Sequence, residues 1–383
     1  MRVVAALDSF KGSLDSAAAG WAVRDGVLAA DPTAAVVVHA VADGGEGTLA
    51  ALLGGGGREV PVDTVDAIGR PVTAAIGLLD HDGRRTAVVE AARTIGLAGV
   101  GVVDSALPPR ASSYGVGLQV RAALELGVDR VLVALGGTAS TDGGAGMLAA
   151  LGAELVDATG RRLDPADGNP LWHGALLGPG SLPATDAELC VLTDVRNPLA
   201  GVDGAATVFG PQKGATPEQV RLLEGRMTAW ARSLGDAAPG PIATVPGAGA
   251  AGGLAAALLA LGARLEPGFA RVAAETDLAG ALVGADLVVT GEGSLDAQTA
   301  WGKTPAGVAR LARAAGAVVV ALGGRVERPT AGGLFDAVLP IHSRPRPLSE
   351  AMDPAVTADE LAATAGEVVR LVTAARLGWA RDR

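Results

Sequence analysis

A short apolar run followed by a polar, glycine-containing loop and then a helix recurs along this chain, and this order restricts the fold most. Residues 3–7 form the first such run, and the helix after it would begin with Ser13 as its N-cap. Residues 36–41 form the second run, and 287–290 and 318–322 repeat the order near the other end. Strands that alternate with helices in this way predict a parallel, doubly wound sheet.

The pattern changes at residue 58. From there to residue 89, alternating apolar residues and turn-forming tripeptides predict an antiparallel meander, which marks a second domain. The 383 residues also exceed what one ordinary core accommodates. The predicted fold class is therefore α/β with two domains. A doubly wound parallel-sheet domain is built from both chain ends (1–58 and 283–383), and a mixed α/β domain (59–282) is inserted. The helix–strand unit at 113–135 fits either domain.

Composition excludes several classes of protein. The formal net charge of −10 argues against a nucleic-acid partner, because such binding depends on clustered Lys and Arg. No apolar stretch reaches the roughly 18 residues that a membrane span needs. Cys190 is the only cysteine, so no disulfide can form within the chain, and this fits a reducing, cytoplasmic location. The sequence is compatible with a homodimer and leaves the oligomeric state open.

The chain has 28 arginines but only three lysines, Lys11, Lys213 and Lys303. Each lysine lies beside a glycine in a polar segment. A compact ammonium is the usual point-charge ligand of a phosphate, whereas arginine serves elsewhere on this surface. Leftover surface residues would fall mainly on helices, so the positions favour a phosphate-binding role for at least two of the three.

Two glycine-rich loops carry most of the candidate chemistry. The segment 290–305 offers two carboxylates, several hydroxyls and Lys303 at a helix start, which are the components of a phosphoryl-transfer site. A P-loop is excluded, since that motif needs glycine where Ala297 stands. The loop 136–144 combines three hydroxyls, four glycines and one carboxylate, which suits an anion-binding loop.

Further loops supply acids, an amide and more glycines. Asp43 is a candidate Mg²⁺ ligand; Glu46 is either a second one or only a favourable charge at a helix start. Asp194 and Asn197 offer a carboxylate and an amide, although a turn explains Asn197 equally well. Residues 247–252 match G-x-G-x-x-G weakly, without the flanking strand or the later acid of a dinucleotide site. The four histidines show no metal-ligand spacing.

Candidate residues follow from these segments. The candidate catalytic residues are Asp142, Lys11, Asp194 and Lys213. The candidate cofactor-binding residues are Gly136, Gly137, Thr138, Ser140, Gly143, Gly291, Gly293, Ser294, Lys303 and Thr304. The candidate metal ligands are Asp43, Glu292 and Asp296.

Taken together, these segments resemble the bacterial type I glycerate kinases, the glycerate 2-kinases. The matching stretches are DSFKGSL (8–14), ADGGEGT (42–48), GGTASTDGGAGML (136–148), TDVRNPLAG (193–201), FGPQKGA (209–215), GAGAAGG (247–253) and TGEGSLDAQTAWGKTPAGVA (290–309). Thr138 and Thr141 stand where family members often have Ser and Asn. The ordered occurrence of the stretches covers essentially the whole chain.

The resemblance implies a two-domain kinase that transfers the γ-phosphate of ATP to glycerate, with Mg²⁺ and with 2-phosphoglycerate as the expected product. We expect the lysines to neutralise the transferring phosphoryl group and the glycerate carboxylate, and Asp142 or Asp194 to accept the hydroxyl proton. Three alternatives stay open: a kinase of another small hydroxy acid, a nicotinamide-dependent oxidoreductase, and a metabolite-binding regulator without catalysis.

Overall fold

The computed structural model describes residues 1–81, 83–238, 241–296, 304–327 and 333–381. The strands within them are β1 (Arg2–Ala5), β2 (Ala35–Val38), β3 (Arg58–Val65), β4 (Pro71–His81), β5 (Arg84–Glu90), β6 (Arg130–Ala134), β7 (Leu155–Val156), β8 (Leu176–Leu177), β9 (Glu188–Leu192), β10 (Arg264–Glu266), β11 (Leu287–Leu295), β12 (Val318–Val326) and β13 (Ala337–Pro340).

The α-helices are α1 (Ser16–Ala30), α2 (Thr48–Leu53), α3 (Ala92–Ile95), α4 (Tyr114–Glu125), α5 (Ala145–Ala150), α6 (Ala205–Phe209), α7 (Pro217–Ala237), α8 (Ala250–Ala260), α9 (Gly268–Glu275), α10 (Leu278–Leu282), α11 (Thr304–Ala314), α12 (Leu348–Ala351) and α13 (Pro354–Arg381). None of the helices in the described ranges is long and apolar enough to cross a membrane.

The chain divides into two compact units. The terminal unit consists of Met1–Asp43, Ala50–Gly55 and Phe269–Arg383, and the central unit of Gly44–Leu49 and Gly56–Gly268. The helix–strand unit at 113–135, left open by the sequence, belongs to the central unit. The units differ from the predicted domains mainly at 44–49, which group with the central unit, and at 269–282, which group with the terminal unit. The predicted domain boundaries stay a prediction.

The terminal unit is a parallel sheet in the order β13-β12-β11-β1-β2. Helices cover both faces of this sheet. Alternate residues of β1 point to opposite faces and therefore pack against different helices. Val3 and Ala5 lie in one core with α1 and α13, whereas Val4 lies in another with α9, α10 and α11. Helix α1 approaches α13 so closely that a Cβ on Gly26 would lie 1.9 Å from the Ala362 carbonyl oxygen. The predicted α/β class with a doubly wound sheet is confirmed.

The central unit contains a six-stranded mixed sheet in the order β10-β9-β6-β5-β4-β3. Strands β3, β4 and β5 form the predicted antiparallel meander, and β5, β6, β9 and β10 continue in parallel. The buried core of this unit includes residues of β5, β6 and β9 together with α4, α7 and α8. Because β6 and β9 are parallel neighbours, the loops that follow their carboxyl ends leave the sheet at the same edge.

Two local predictions are wrong. Helix α1 is capped by Asp15, whose carboxylate accepts from the Ala18 amide at 2.7 Å, because Ser13 lies in the preceding turn and donates to Thr357. The glycine-rich segment after residue 290 is not a loop as far as Leu295. It continues as β11, since β12 offers an equally long partner strand on which Leu295 pairs with Val326.

Candidate active site

The loop that follows β6 packs against the short glycine loop at 44–47. The Gly136 amide donates to the Gly44 carbonyl at 3.4 Å, and a Cβ on Gly136 would lie only 2.4 Å from Gly45 Cα. Gly137 has a φ of +73°, which a residue with a side chain rarely adopts. Thr138 is buried behind it. The predicted glycines are thus required by close backbone approach within the central unit.

Asp142 is fully buried and lies at the centre of this loop. Its Oδ2 accepts from the Ser113 amide (2.7 Å), the Ser113 hydroxyl (2.8 Å) and the Gly146 amide (3.2 Å), and its Oδ1 accepts from the Gly144 amide (3.1 Å). Burial raises the pKa of Asp142, and these donors oppose the rise. The carboxylate therefore fastens the loop to the start of α4.

Lys213 is also buried, at 4 % exposure, and its Nζ donates to the Ser140 carbonyl at 2.6 Å. Burial lowers the pKa of Lys213 to about 8, and the negative charge of Asp142 acts in the opposite direction. The hydroxyls of Ser140 and Thr141 are buried and have no hydrogen-bond partner within the described residues. A cation from the helical turn Pro211–Lys213 thus contacts the glycine-rich loop that carries these two hydroxyls, an arrangement that suits an anionic ligand.

The segment 247–253 packs on the same loop. A Cβ on Gly252 would lie 2.1 Å from the Ser140 carbonyl oxygen, and the Gly143 amide donates to the Gly252 carbonyl at 2.9 Å. Residues 251–253 all have positive φ, so the backbone turns sharply before the regular part of α8. Trp230 closes the contact by donating from Nε1 to the Gly143 carbonyl at 2.8 Å. These glycines approach the protein's own backbone, which accounts for them without a dinucleotide.

Asp194 follows the carboxyl end of β9 and is exposed. Its Oδ1 accepts from the Gly268 amide at 3.1 Å. Asn197 contacts two other segments: its backbone carbonyl accepts from the Gly247 and Gly249 amides, at 3.2 and 2.9 Å, and its side-chain amide donates to the Asp203 carbonyl at 2.9 Å. Because β6 and β9 are parallel neighbours, Asp194 leaves the sheet at the same edge as the loop that holds Lys213.

In the terminal unit the chemistry centres on Asp8, which the sequence analysis did not select. Asp8 follows β1, is 7 % exposed, and its amide donates to the Gly291 carbonyl at 2.8 Å. Burial raises the pKa of Asp8 to about 6, and the negative charges of Asp43 and Glu292 add to the rise. The structure thus brings two of the predicted metal ligands close to a third carboxylate.

Thr304 faces this group of acids. It is fully buried, and its hydroxyl lies close enough to Asp8 to lower the pKa of that carboxyl, yet its Oγ1 makes no hydrogen bond of ordinary geometry within the described residues. No three His, Cys, Asp or Glu side chains in the described ranges are placed to hold a metal ion by themselves. Mg²⁺ commonly takes only one or two carboxylates, with water and substrate phosphates completing its shell, so the donor set suits Mg²⁺.

The other predicted residues of the terminal unit are partly brought together. Gly293 lies against the backbone of Lys11, since a Cβ there would be 3.6 Å from the Lys11 amide nitrogen. Lys11 itself is exposed, whereas Ser294 and Asp296 are half-buried. A Cβ on Gly291 would lie 2.0 Å from the Leu322 carbonyl oxygen, so the close approach of β12 leaves no room for a side chain at this position. Lys303 lies outside the described residues.

Two buried carboxylates at strand ends are absent from the residues predicted from the sequence. Asp8 and Glu90 are each the first acid at or after the end of an apolar strand, and Glu90 is 3 % exposed. Their position at the end of an apolar strand could have indicated a buried acid. A buried charge at such a place usually has a partner or a functional role. Ser113 was missed for a different reason: its link to Asp142 spans 29 residues, and no local pattern reports it.

Comparison with known proteins gives one consistent result. The model of the glycerate kinase family matches residues 3–373. The glycerate kinase of Bacillus subtilis strain 168 is 39 % identical over 332 residues, which cover 86 % of each chain. The glycerate 2-kinase of Escherichia coli K12 is 37 % identical over 345 residues, 89 % of this chain and 88 % of the relative.

Solved structures agree with these relatives. The crystal structure of a protein assigned as glycerate kinase 2 of Salmonella typhimurium LT2 aligns with a TM-score of 0.79 at 35 % identity, covering 98 % of this chain and 99 % of the other. Fold, sequence and the ordered motifs therefore point the same way, and the resemblance noted from the motifs is confirmed. The chain belongs to the glycerate kinase family.

Proposed function

We propose that this enzyme transfers the γ-phosphate of ATP to (R)-glycerate and releases 2-phosphoglycerate. Membership of the glycerate kinase family supports glycerate as the acceptor, and the relatives include a glycerate 2-kinase. The single observation that carries the proposal is the buried Lys213, which donates to a glycine-rich loop whose Ser140 and Thr141 hydroxyls have no hydrogen-bond partner within the described residues. Such a cation suits an enzyme that must bind and neutralise phosphoryl oxygens.

We assign the phosphoryl-binding charge first to Lys213. Its Nζ is fixed by the Ser140 carbonyl at 2.6 Å, so the cation needs little reorganisation when an anion binds. Lys11 and Lys303 are proposed for the remaining charges, the glycerate carboxylate among them. The loop glycines 136, 137 and 143 and the hydroxyls of Thr138 and Ser140 would line the anion. On the terminal unit we assign the same task to Gly291, Gly293, Ser294 and Thr304.

For the proton of the glycerate hydroxyl we favour Asp194 over Asp142. A general base has to reach the proton that it removes. Asp194 is exposed at the carboxyl edge of the sheet, whereas Asp142 is fully buried and already receives donors from Ser113, Gly144 and Gly146. Asp142 is then a positioning residue, which holds the loop that carries Ser140 and, through it, Lys213.

Asp43, Glu292 and Asp296 are proposed to hold Mg²⁺, with Asp8 close to the first two. When bound, the ion would neutralise negative charge on the phosphates of ATP. The protein's own part is to hold these carboxylates in place: Glu292 lies within β11, Asp296 follows it directly, and pairing with β12 as far as Leu295 fixes this stretch, whereas Asp43 lies in the loop after β2. The cytoplasmic location and the homodimer stay predictions.

The decisive experiment is incubation of the enzyme with ATP, Mg²⁺ and D-glycerate, followed by ³¹P NMR that separates 2- from 3-phosphoglycerate. We expect ATP-dependent formation of 2-phosphoglycerate. The 3-phospho isomer would overturn the regiochemistry, phosphorylation of other three- or four-carbon hydroxy acids in preference to glycerate would overturn the substrate, and no ATP turnover would leave a binding regulator.

The oxidoreductase alternative loses its main support. The backbone of Ser140, Gly143 and Pro198 occupies the space next to the glycines at 247–253. Little room is therefore left for a pyrophosphate to approach these glycines. Glycerate oxidation with NAD⁺ and without ATP would nevertheless reverse this conclusion, and the same enzyme preparation serves for both assays.

A further inference from the structure

Glu90 is a buried carboxylate that neither the phosphate loop nor the group of acids around Asp8 uses. It ends β5 and is 3 % exposed. Burial raises its pKa, and its hydrogen bonds oppose the rise. A buried carboxylate needs hydrogen-bond donors, and the donors around Glu90 show which segment of the chain its side chain binds.

The donors come from the start of α2. Glu90 Oε1 accepts from the Gly47 amide at 3.1 Å, and Oε2 accepts from the Leu49 amide at 2.8 Å. The first amides of a helix have no partner within the helix and carry partial positive charge, so a carboxylate is a favourable ligand for them. Glu90 therefore acts as a resident anion at the start of α2, and a nucleotide phosphate does not take these two amides.

The same contacts fix the glycine loop that precedes α2. Its other end is held where the Gly136 amide donates to the Gly44 carbonyl at 3.4 Å. Between these anchors the loop is closed internally, because the Thr48 hydroxyl donates to the Gly45 carbonyl at 2.7 Å. Asp43 immediately precedes the anchored segment and is joined to it by a single peptide bond.

We propose that Glu90 is a positioning residue that holds the segment 44–49 and thereby places Asp43 for Mg²⁺ binding. The inference rests on the proposed function, in which Asp43 is a ligand of the ion. It adds that the ordering of this loop is supplied by a carboxylate on a different strand, 41 to 43 residues away in the sequence.

The test uses Glu90→Gln, which keeps the shape but offers one carbonyl oxygen where the carboxylate offers two. We expect deuterium uptake by the amides of 44–53 to rise in the enzyme without ligands, while uptake in β6 stays unchanged. We expect the half-saturating Mg²⁺ concentration to rise roughly tenfold, which corresponds to about 1.4 kcal/mol, with KM for glycerate unchanged. A purely structural role would instead lower stability and change both parameters together.

Glu125→Gln is the matched control, since it removes an exposed carboxylate from the same unit, where Glu125 only pairs with Arg121 at 3.8 Å. It should behave as wild type in both measurements. If Glu90→Gln does not fold, Glu90→Asp, whose shorter side chain cannot reach both amides, takes its place. Unchanged uptake at 44–53 or an unchanged Mg²⁺ requirement overturns the inference. Failure of the wild-type enzyme to phosphorylate glycerate, or an active Asp43→Asn with a normal Mg²⁺ requirement, would instead overturn the proposed function.

Discussion

Replacement of the buried lysine tests the proposed site most directly. Lys213→Met removes the ammonium and keeps an unbranched chain of similar length. Because the charge is fixed beside the glycine-rich loop and shielded from water, we expect kcat/KM for glycerate to fall by roughly 10²-fold or more. Arg221→Met, which removes an exposed cation of the same unit, should leave kcat/KM unchanged.

The stability of the same variant gives an independent magnitude. The pKa of Lys213 falls from 10.5 to about 8 because burial penalises the charged form. Below pH 8, burial of the charged lysine therefore lowers the free energy of unfolding by about 3 kcal/mol. As the pH rises from 8 to 10.5, the folded state has released the proton while the unfolded state still holds it. Wild type therefore gains stability relative to Lys213→Met over that interval.

Urea unfolding of both proteins, followed by tryptophan fluorescence, measures this. The free energy of unfolding of wild type minus that of Lys213→Met should increase by about 2 kcal/mol between pH 7.5 and pH 10. The activity of the wild-type enzyme should fall above pH 8 and be about tenfold lower at pH 9, because in the proposed role Lys213 has to carry its positive charge. A stability difference that is constant with pH, or full activity at pH 9, would refute the assignment of a buried, functional ammonium.

Three further substitutions separate the parts of the central unit. Asp142→Ala leaves the amides that it binds without a partner, so we expect the free energy of unfolding to drop by about 3 kcal/mol and activity to be lost with it; a stable, active variant would contradict the positioning role. Asp194→Asn should lower kcat by roughly 10²-fold with Tm unchanged, and normal turnover would remove Asp194 as the base. Trp230→Phe loses one hydrogen bond to Gly143 and should cost about 1 kcal/mol in urea unfolding, whereas no loss would mean that the bond contributes nothing.

Much of the architecture was predictable because local patterns carry it. The continuous apolar run at 3–7 indicates a strand that is buried on both faces, and it forms β1 of the parallel sheet. The alternation that begins at residue 58 indicates strands with one buried face, and it forms the antiparallel pair β3 and β4. Helix α7 likewise begins at a local pattern, a capping box of Thr216 and Gln219 with Pro217 at the first helical position. These features depend on residues that are close in sequence, which is why they can be read without a structure.

Features that depend on distant partners could not be read in this way. The stretch of β11 beyond Thr290 looks like a loop by composition and becomes a strand only because β12 pairs with it as far as Val326. The sequence predicts Asp194 or Asp142 as the base without distinguishing them, because it does not show the complete burial of Asp142. Its burial depends on Ser113, which no local pattern connects to it. Which candidate carboxylate is accessible is therefore a property of the tertiary structure.

The abundance of arginine gives the buried lysine its significance. A guanidinium has five donors in a rigid plane, and a site that offers one carbonyl would leave most of them unsatisfied. The Lys213 ammonium has three donors, of which, within the described residues, one is used on the Ser140 carbonyl. Two donors and a positive charge thus remain at the loop that carries the Ser140 and Thr141 hydroxyls, which have no partner within the described residues. Burial of that charge lowers the stability of the protein without a ligand, so we attribute the choice of lysine at this position to the proposed anionic ligand, whose binding would offset the cost.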